Sequence, residues 1–332
     1  MGKPQARDEV LVTGAGGFIG SHLTASLADL GLRVRALVRY NGRADTGHLR
    51  FLTPAQQARV QVILGNVEDP GCVDAAVAGC RTVFHLAALI GIPYSYVAPR
   101  SYVTTNILGT QHVLDAARRH GVHRVVHTST SEVYGTARYV PIDEEHPLQG
   151  QSPYSATKIA ADKLAESYHL SFGLPVVTVR PFNTFGPRQS ARAVIPSIIV
   201  QLLGDAQVLR LGSLEPRRDF TYVEDTVAGF VAAATADAAV GCTVNLGSGA
   251  SISIGDLAAR LVAMVRPGVP VESAEERVRP DRSEVMHLEC HAGRARELLG
   301  WAPRVGLDEG LARTVSFLRE HPAAVAGGGY TV

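Results

Sequence analysis

A doubly wound α/β fold is predicted, a parallel sheet flanked by helices with a smaller C-terminal lobe, and three observations predict it. Short apolar runs rich in valine alternate with longer stretches of helical period through residues 1–180. Successive runs are separated by helix-length segments instead of tight turns, and such crossovers join parallel strands. A glycine-rich turn links the first run to the first helical stretch, as in open parallel sheets. The right-handed crossover rule then puts helices on both faces.

Each element follows in order. Val10–Val12 is the first strand, bounded by glycine. Ile19–Leu30 is a helix, since Ile19, Leu23, Leu27 and Leu30 share one stripe and Gly31 ends it. Arg33–Val38, Val60–Leu64 and Thr82–Leu86 are the next three strands. Val103–His120 is a long helix stopped by Gly121, and His123–Thr128 is the fifth strand. Ser152–Phe172 is a second long helix stopped by Gly173, and Pro175–Arg180 is the sixth strand. Beyond Pro181 the pattern is irregular, with several prolines and a polar stretch from Glu272 to Ser283. Residues 181–332 are expected to form mainly a second lobe, with a segment near 220–250 crossing back to the first domain, 1–180. Ala323–Gly329 reads as a frayed tail.

The chain of 332 residues is 46% hydrophobic and 19% charged, an ordinary globular balance. Its 32 basic and 31 acidic residues leave a net charge of +1, without the footprint of a nucleic-acid binder. No apolar run approaches the ~20 residues of a membrane span, and Met1–Glu9 lacks the apolar core of a signal peptide. Cys72, Cys80, Cys242 and Cys290 form neither a C-x-x-C pair nor a zinc spacing. They read as reduced, mostly buried thiols. His85, His127 and His169 lack the partners of a metal site. The expectation is a cytoplasmic protein without metal, membrane or nucleic-acid partner.

Gly14, Gly17 and Gly20 make G-x-x-G-x-x-G between the first strand and the first helix, with Phe18 and Ile19 opening the helix. Glycines there permit a tight turn and close approach of a pyrophosphate, and the helix N-terminus offers unpaired N–H groups. A glycine-rich turn without ligand is the bland alternative; the placement between strand and helix favours a dinucleotide. The second strand ends Val38-Arg39-Tyr40-Asn41, without the acid that would bind a free ribose. Arg39 suits a 2′-phosphate or is a solvated surface residue, so the cofactor is NAD or NADP, with a slight lean to NADP. Asn66, followed by Val67, is placed to meet the adenine. Leu86, Ala87 and Ala88 end the fourth strand with small groups that let the backbone lie against the cofactor.

Tyr154 and Lys158 stand four apart on the second long helix and share a face. The ammonium is expected to lower the phenol pKa and let tyrosine act as base. Ser152-Pro153 starts that helix well. Thr130, Ser131 and Glu132 follow the fifth strand, at the edge where open sheets keep ligands, and Thr130 can complete a triad with Tyr154 and Lys158.

With TGAGGFIG, HLAA, STSEVYG, YSATK, RPFNTFGPR and RRDFTYVED in one chain, the sequence resembles the extended short-chain dehydrogenase/reductases over its whole length. It is similar to their NAD-dependent epimerase/dehydratase branch, with a Rossmann domain and a substrate lobe. The resemblance implies a nucleotide-sugar substrate and a tightly bound cofactor recycled within each turnover. Glu132 resembles the acid of 4,6-dehydratases, whereas related 4-epimerases usually carry small neutral residues there. Ser131 departs from the Asp-Glu of thymidine-diphosphate-glucose dehydratases, and glucuronate decarboxylases share Thr-Ser-Glu. The stretches 87–96 and 186–196 resemble hexosamine 4,6-dehydratases of the legionaminic-acid pathway, which act on nucleotide-linked N-acetylglucosamine.

The implied reaction oxidises C4, removes the C5 proton with Glu132, expels water from C6 with help from Ser131 or Glu132, and returns hydride to C6. Asn183 matches a family position that donates to the substrate phosphates. Arg218 and Arg282 are candidates for clamping the diphosphate, with Arg192 and Arg188 behind them. For Arg218 the bland alternative is an ion pair with Asp219 or Glu224, and for Glu132 a capping role. The two long helices match those that pair in a four-helix homodimer interface. UDP-glucuronate decarboxylation, 4-epimerisation and a cofactor-sensing binding protein are the competing readings.

Overall fold

The computed structural model describes residues 9–204, 206–274 and 285–322. Seven parallel strands build the main sheet. They are β1 (Glu9–Thr13), β2 (Arg33–Arg39), β3 (Val60–Gly65), β4 (Thr82–His85), β5 (Arg124–Thr128), β6 (Val176–Pro181) and β10 (Thr243–Leu246), in the order β10-β6-β5-β4-β1-β2-β3. The order reverses between β1 and β4, and ligands of such sheets bind at the carboxyl ends beside that reversal.

Both faces are covered, so neighbouring residues of one strand enter different cores. Val10 and Val12 join one apolar cluster while Leu11 joins the other, and Phe84 and Val83 divide in the same way. This explains why the strands read as continuous apolar runs without polar alternation. β10 lies 62 residues after β6 ends and still completes the sheet edge, pairing Thr243 with Thr178. The helix Val223–Thr235 packs against the first helix, Phe18–Asp29, and so belongs to the sheet body. Buried Arg124 fixes its end, donating to the Ala236 carbonyl at 2.8 Å and to Asp237 at 2.8 Å.

The second lobe holds β7 (Asn183–Phe185), β9 (Arg217–Tyr222) and β11 (Ser251–Ser253) in one small sheet, and β8 (Leu209–Leu211) with β12 (Val271–Ser273) in another. The helices Val194–Leu203, Ile254–Val265 and Leu307–Glu320 flank them. Asp219, fully buried, ties this lobe together by accepting from the backbone N–H groups of Ser248, Gly249 and Cys290.

Three expectations need correction. Leu30 is 57% exposed, because the first helix ends at Asp29 and the stripe stops one turn earlier. The fourth strand ends at His85, leaving Leu86 to Ala88 in the loop beyond it. Val103–His120 is not one α-helix. Pro99–Tyr102 is a short α-helix, Val103–Leu108 a π-helical turn and Gly109–Arg119 the α-helix that follows. Arg282, most of the Glu272–Ser283 stretch and Ala323–Gly329 lie outside the described residues.

Among the cysteines, none of which is bonded to another, Cys80 and Cys290 are buried while Cys72 and Cys242 are half-buried.

Candidate active site

The glycine turn and the loop after β4 are built against each other. Gly14 adopts φ +71°, and a Cβ there would lie 2.8 Å from the Ala87 nitrogen. A Cβ on Gly20 would strike the Gly14 carbonyl oxygen. Thr13 Oγ1 receives the backbone N–H groups of Leu86 and Ala87, each at 3.1 Å. Exposed Gly17 caps the first helix with no side chain, so the N–H groups of Phe18, Ile19 and Gly20 begin a helix without a side-chain acceptor. The cradle therefore has room for a pyrophosphate and none for a side chain, which fits a dinucleotide.

Around it, Arg39 is exposed at the end of β2. Asn66 uses Oδ1 to accept the Glu68 N–H at 3.1 Å, which fixes its turn and leaves its NH₂ group for a ligand. Val67 is buried, and its carbonyl accepts from His112 at 3.0 Å. The loop 86–91 is held from behind by Asn106 of the π-helical turn, whose amide bonds both the N–H and the carbonyl of Leu89, at 2.8 and 3.0 Å. The same amide donates to Thr157 on the catalytic helix at 3.0 Å.

Ser152 caps the helix Pro153–Phe172 in a reciprocal capping box with Ser155. Its first turns bring Tyr154 and Lys158 to the carboxyl end of β5, where Lys158 reaches the Thr128 carbonyl. Thr130 caps the 3₁₀ turn Ser131–Tyr134, and its side chain favours the ionised form of the Tyr154 hydroxyl. Ser131 is buried and Glu132 half-buried. Glu132 makes no side-chain hydrogen bond to a described residue. Its charge reaches the Tyr154 hydroxyl.

Desolvation holds the Tyr154 pKa far above that of a free phenol. The Thr130 side chain opposes the shift and the Glu132 charge adds to it. The expected lowering by Lys158 is thus overturned for the protein alone, because the ammonium donates to the Thr128 carbonyl at 2.6 Å. Burial lowers Lys158 itself to about 8, against an opposing pull from Asp162. Tyr102, absent from the sequence reading, stands edge-on to Tyr154 at 6.3 Å and faces Tyr94 at 6.3 Å. Its burial raises its pKa, Tyr94 adds to this and the charge of exposed Arg192 opposes it. Tyr94 and Tyr96 are 48% and 42% exposed.

Asn183 pairs in register with Phe220, so it shares a sheet face with Arg218 two residues before. Asn183 Oδ1 is buried without a partner, and Arg218 is buried. Neither ion pair weighed for Arg218 accounts for it. Asp219 is occupied by the loops described above, and Glu224 pairs with Arg313 at 3.0 Å. Arg188 belongs elsewhere, donating to Ser21 of the first helix at 3.3 Å.

His85 was read from the sequence only as a histidine without metal partners, and Asp162 escaped that reading. His85 links Thr13 to Thr110 by hydrogen bonds of 2.8 and 3.0 Å. Asp162 extends the Tyr154–Lys158 stripe by one more turn, and that i, i+4, i+8 polar pattern was its available signal.

A family model described as GDP-mannose 4,6 dehydratase matches residues 11–314. A dTDP-glucose 4,6-dehydratase of Streptomyces griseus is 37% identical over 325 residues, covering 94% of both chains. A UDP-glucose 4-epimerase of Mycolicibacterium smegmatis is 34% identical over 320 residues, covering 93% of this chain and 98% of its own. The solved structure of TunA, an NAD-dependent NDP-hexosamine 5,6-dehydratase involved in tunicamycin biosynthesis, superposes with a TM-score of 0.82 at 30% identity. It covers 94% of this chain and 98% of its own. With the glycine cradle, the Thr130–Tyr154–Lys158 group and these relatives in agreement, the chain belongs to the NAD-dependent epimerase/dehydratase family of extended short-chain dehydrogenase/reductases.

Proposed function

We propose that the protein is a nucleotide-sugar 4,6-dehydratase, with a nucleotide-linked N-acetylhexosamine, N-acetylglucosamine first, as its substrate. The observation that carries this reading is Glu132, a half-buried carboxylate without a hydrogen-bond partner among the described residues and close enough to act on the Tyr154 hydroxyl. A 4-epimerase has no proton to remove at C5 and would leave that acid without a task. The kinship to an NDP-hexosamine dehydratase supports the choice of sugar.

A nicotinamide dinucleotide held at the Gly14–Gly20 cradle would supply the hydride acceptor and donor of the reaction. Tyr154 takes the proton of the C4 hydroxyl, with the Thr130 side chain favouring its ionised form. The C4 ketone acidifies the neighbouring C5–H, and Glu132 removes that proton. Water leaves C6 with a proton supplied by Glu132 or Ser131. The C5 carbon is finally reprotonated, giving a 4-keto-6-deoxy sugar with no net change of redox state. Asn183 and Arg218 would hold the diphosphate, the guanidinium through its planar fork.

We place the reaction in the cytoplasm, in keeping with four unpaired cysteines, and in a homodimer. Among the described residues, no helix is long and apolar enough to cross a membrane. The dimer reading rests on family likeness and on exposed Leu108 (41%) and Leu170 (75%) on the two segments concerned.

The test is incubation with UDP- and GDP-linked N-acetylglucosamine, glucose, mannose and glucuronate, followed by mass spectrometry. A product lighter by one water is expected from a hexosamine. Loss of carbon dioxide from the glucuronate would establish decarboxylation instead. Unchanged mass with an altered sugar would establish epimerisation, and cofactor binding without conversion would identify a sensor. Glu132→Gln is expected to retain substrate affinity and lose roughly 10²- to 10⁴-fold in turnover. Undiminished water loss would remove Glu132 from the mechanism.

A further inference from the structure

Two charges on the catalytic helix are sealed from water, Lys158 and, one turn later, Asp162, each 4% exposed. The reaction described above uses only the first. Asp162 Oδ1 accepts from His127 at 3.0 Å. Its Oδ2 accepts from Ser129 at 2.7 Å and from Arg180 Nε and Nη2 at 3.2 and 3.0 Å. Ser129 follows Thr128, whose carbonyl receives the Lys158 ammonium. The carboxylate thus grips the same end of β5 on which the lysine is anchored.

We propose that Asp162 is a positioning residue for catalysis: it locks the Thr128–Ser129 turn and supplies the buried counter-charge that keeps the Lys158 ammonium charged and in place. This inference rests on Lys158 serving the proposed reaction.

The surroundings show why one carboxylate matters. From β4 and β5, His85 and His127 stack at 6.0 Å, and burial depresses both imidazoles, although Asp162 pulls His127 back up. From β6, Arg180 brings a permanent positive charge and donates to Tyr134 at 3.0 Å. Tyr134 donates to Asn245, whose backbone N–H meets Glu144 at 2.7 Å on the far side of that chain. Tyr154 on the same helix stays protonated because burial raises its pKa. Asp162 resists protonation in turn: burial pushes its carboxyl up, but His127, Arg180 and Lys158 together hold it below the ordinary value. Without Asp162, two cations would remain in a dry site, and the lysine is the one able to discharge.

The sequence offers a direct readout, because its only lysines are Lys3, Lys158 and Lys163. In protein labelled with [13Cε]lysine, an NMR titration resolves three signals, and Lys163→Arg helps assign them. Wild type is expected to show a Lys158 midpoint of about 8. Asp162→Asn should lower it by about one unit or more, and Asp162→Glu should restore most of the shift. The alkaline limb of kcat should move by the same amount, while turnover at low pH changes less.

Should the unpaired Arg180 unfold the single variant, Asp162→Asn/Arg180→Gln carries the same expectation of a lowered midpoint. An unmoved midpoint in whichever variant folds overturns the proposal, as does a wild-type Lys158 that titrates like a solvated lysine. The titration needs no substrate. A shifted midpoint in a protein that dehydrates nothing would refute the proposed reaction and leave Asp162 standing only as the counter-charge of Lys158.

Discussion

At the residue scale, the cofactor cradle was legible because glycine spacing reports backbone geometry directly. Gly14 at φ +71° against Ala87 leaves no place for a methyl group. Gly14→Ala is expected to cost about 1–3 kcal/mol of stability and to abolish dinucleotide binding, measured by thermal unfolding and cofactor titration. Undiminished binding would mean that the turn relaxes without loss. Arg39 poses a separate question of charge. If its guanidinium meets the 2′-phosphate, Arg39→Ala weakens NADP about tenfold, a loss of ~1.4 kcal/mol, and leaves NAD unchanged. Equal effects on both cofactors would return Arg39 to the solvated surface. The tyrosine environment was legible only in part. Spacing placed Tyr154 beside Lys158, but the desolvation that raises its pKa, and the Thr128 carbonyl that holds the ammonium, come from β5 and cannot be read from the helix sequence.

At the element scale, strands whose residues divide between two cores announced themselves as apolar runs, and the helix Pro153–Phe172 did so through its cap and its terminal glycine. The broken helix 99–119 did not. Its sequence has helical period throughout, and the π-helical turn at Val103–Leu108 arises where Asn106 must face Leu89 and Thr157 at once. One extra residue in the turn re-aims the side chain without ending the helix. The placement of β10 was equally hidden, since the neighbour of a four-residue strand is chosen by a distant partner. The bonds of Asn106 make its turn testable. Asn106→Ala leaves the N–H and carbonyl of Leu89 and the hydroxyl of Thr157 short of partners, at about 1–3 kcal/mol. Hydrogen exchange should then quicken in the loop 86–91, which faces the cofactor cradle. Unchanged protection there would show that Thr13 and Tyr102 hold the loop without Asn106.

Across the whole molecule, the buried and half-buried histidines give the fold a direction of pH dependence. Half-buried His22 bonds the Pro187 carbonyl at 2.9 Å and is pulled down to about 4, desolvation first and the Arg188 guanidinium second. His48, His85 and His127 are lowered too, each chiefly by desolvation. The unfolded chain takes up these protons near pH 6.5, while the folded protein resists them. The unfolded state therefore binds more protons in that interval, and stability falls as pH drops from about 6.5 towards 4. For His22 alone the loss amounts to roughly 3 kcal/mol by the lower limit. Asp162, with a carboxyl held below its ordinary value, adds to the same trend at still lower pH. Thermal midpoints measured from pH 7 to pH 4.5 should accordingly decline, and His22→Gln should flatten the decline without moving the midpoint at pH 7 by a comparable amount. A midpoint independent of pH over this range would show that the four imidazoles are solvated as the chain breathes, and that the two cores close less tightly around them than their burial implies.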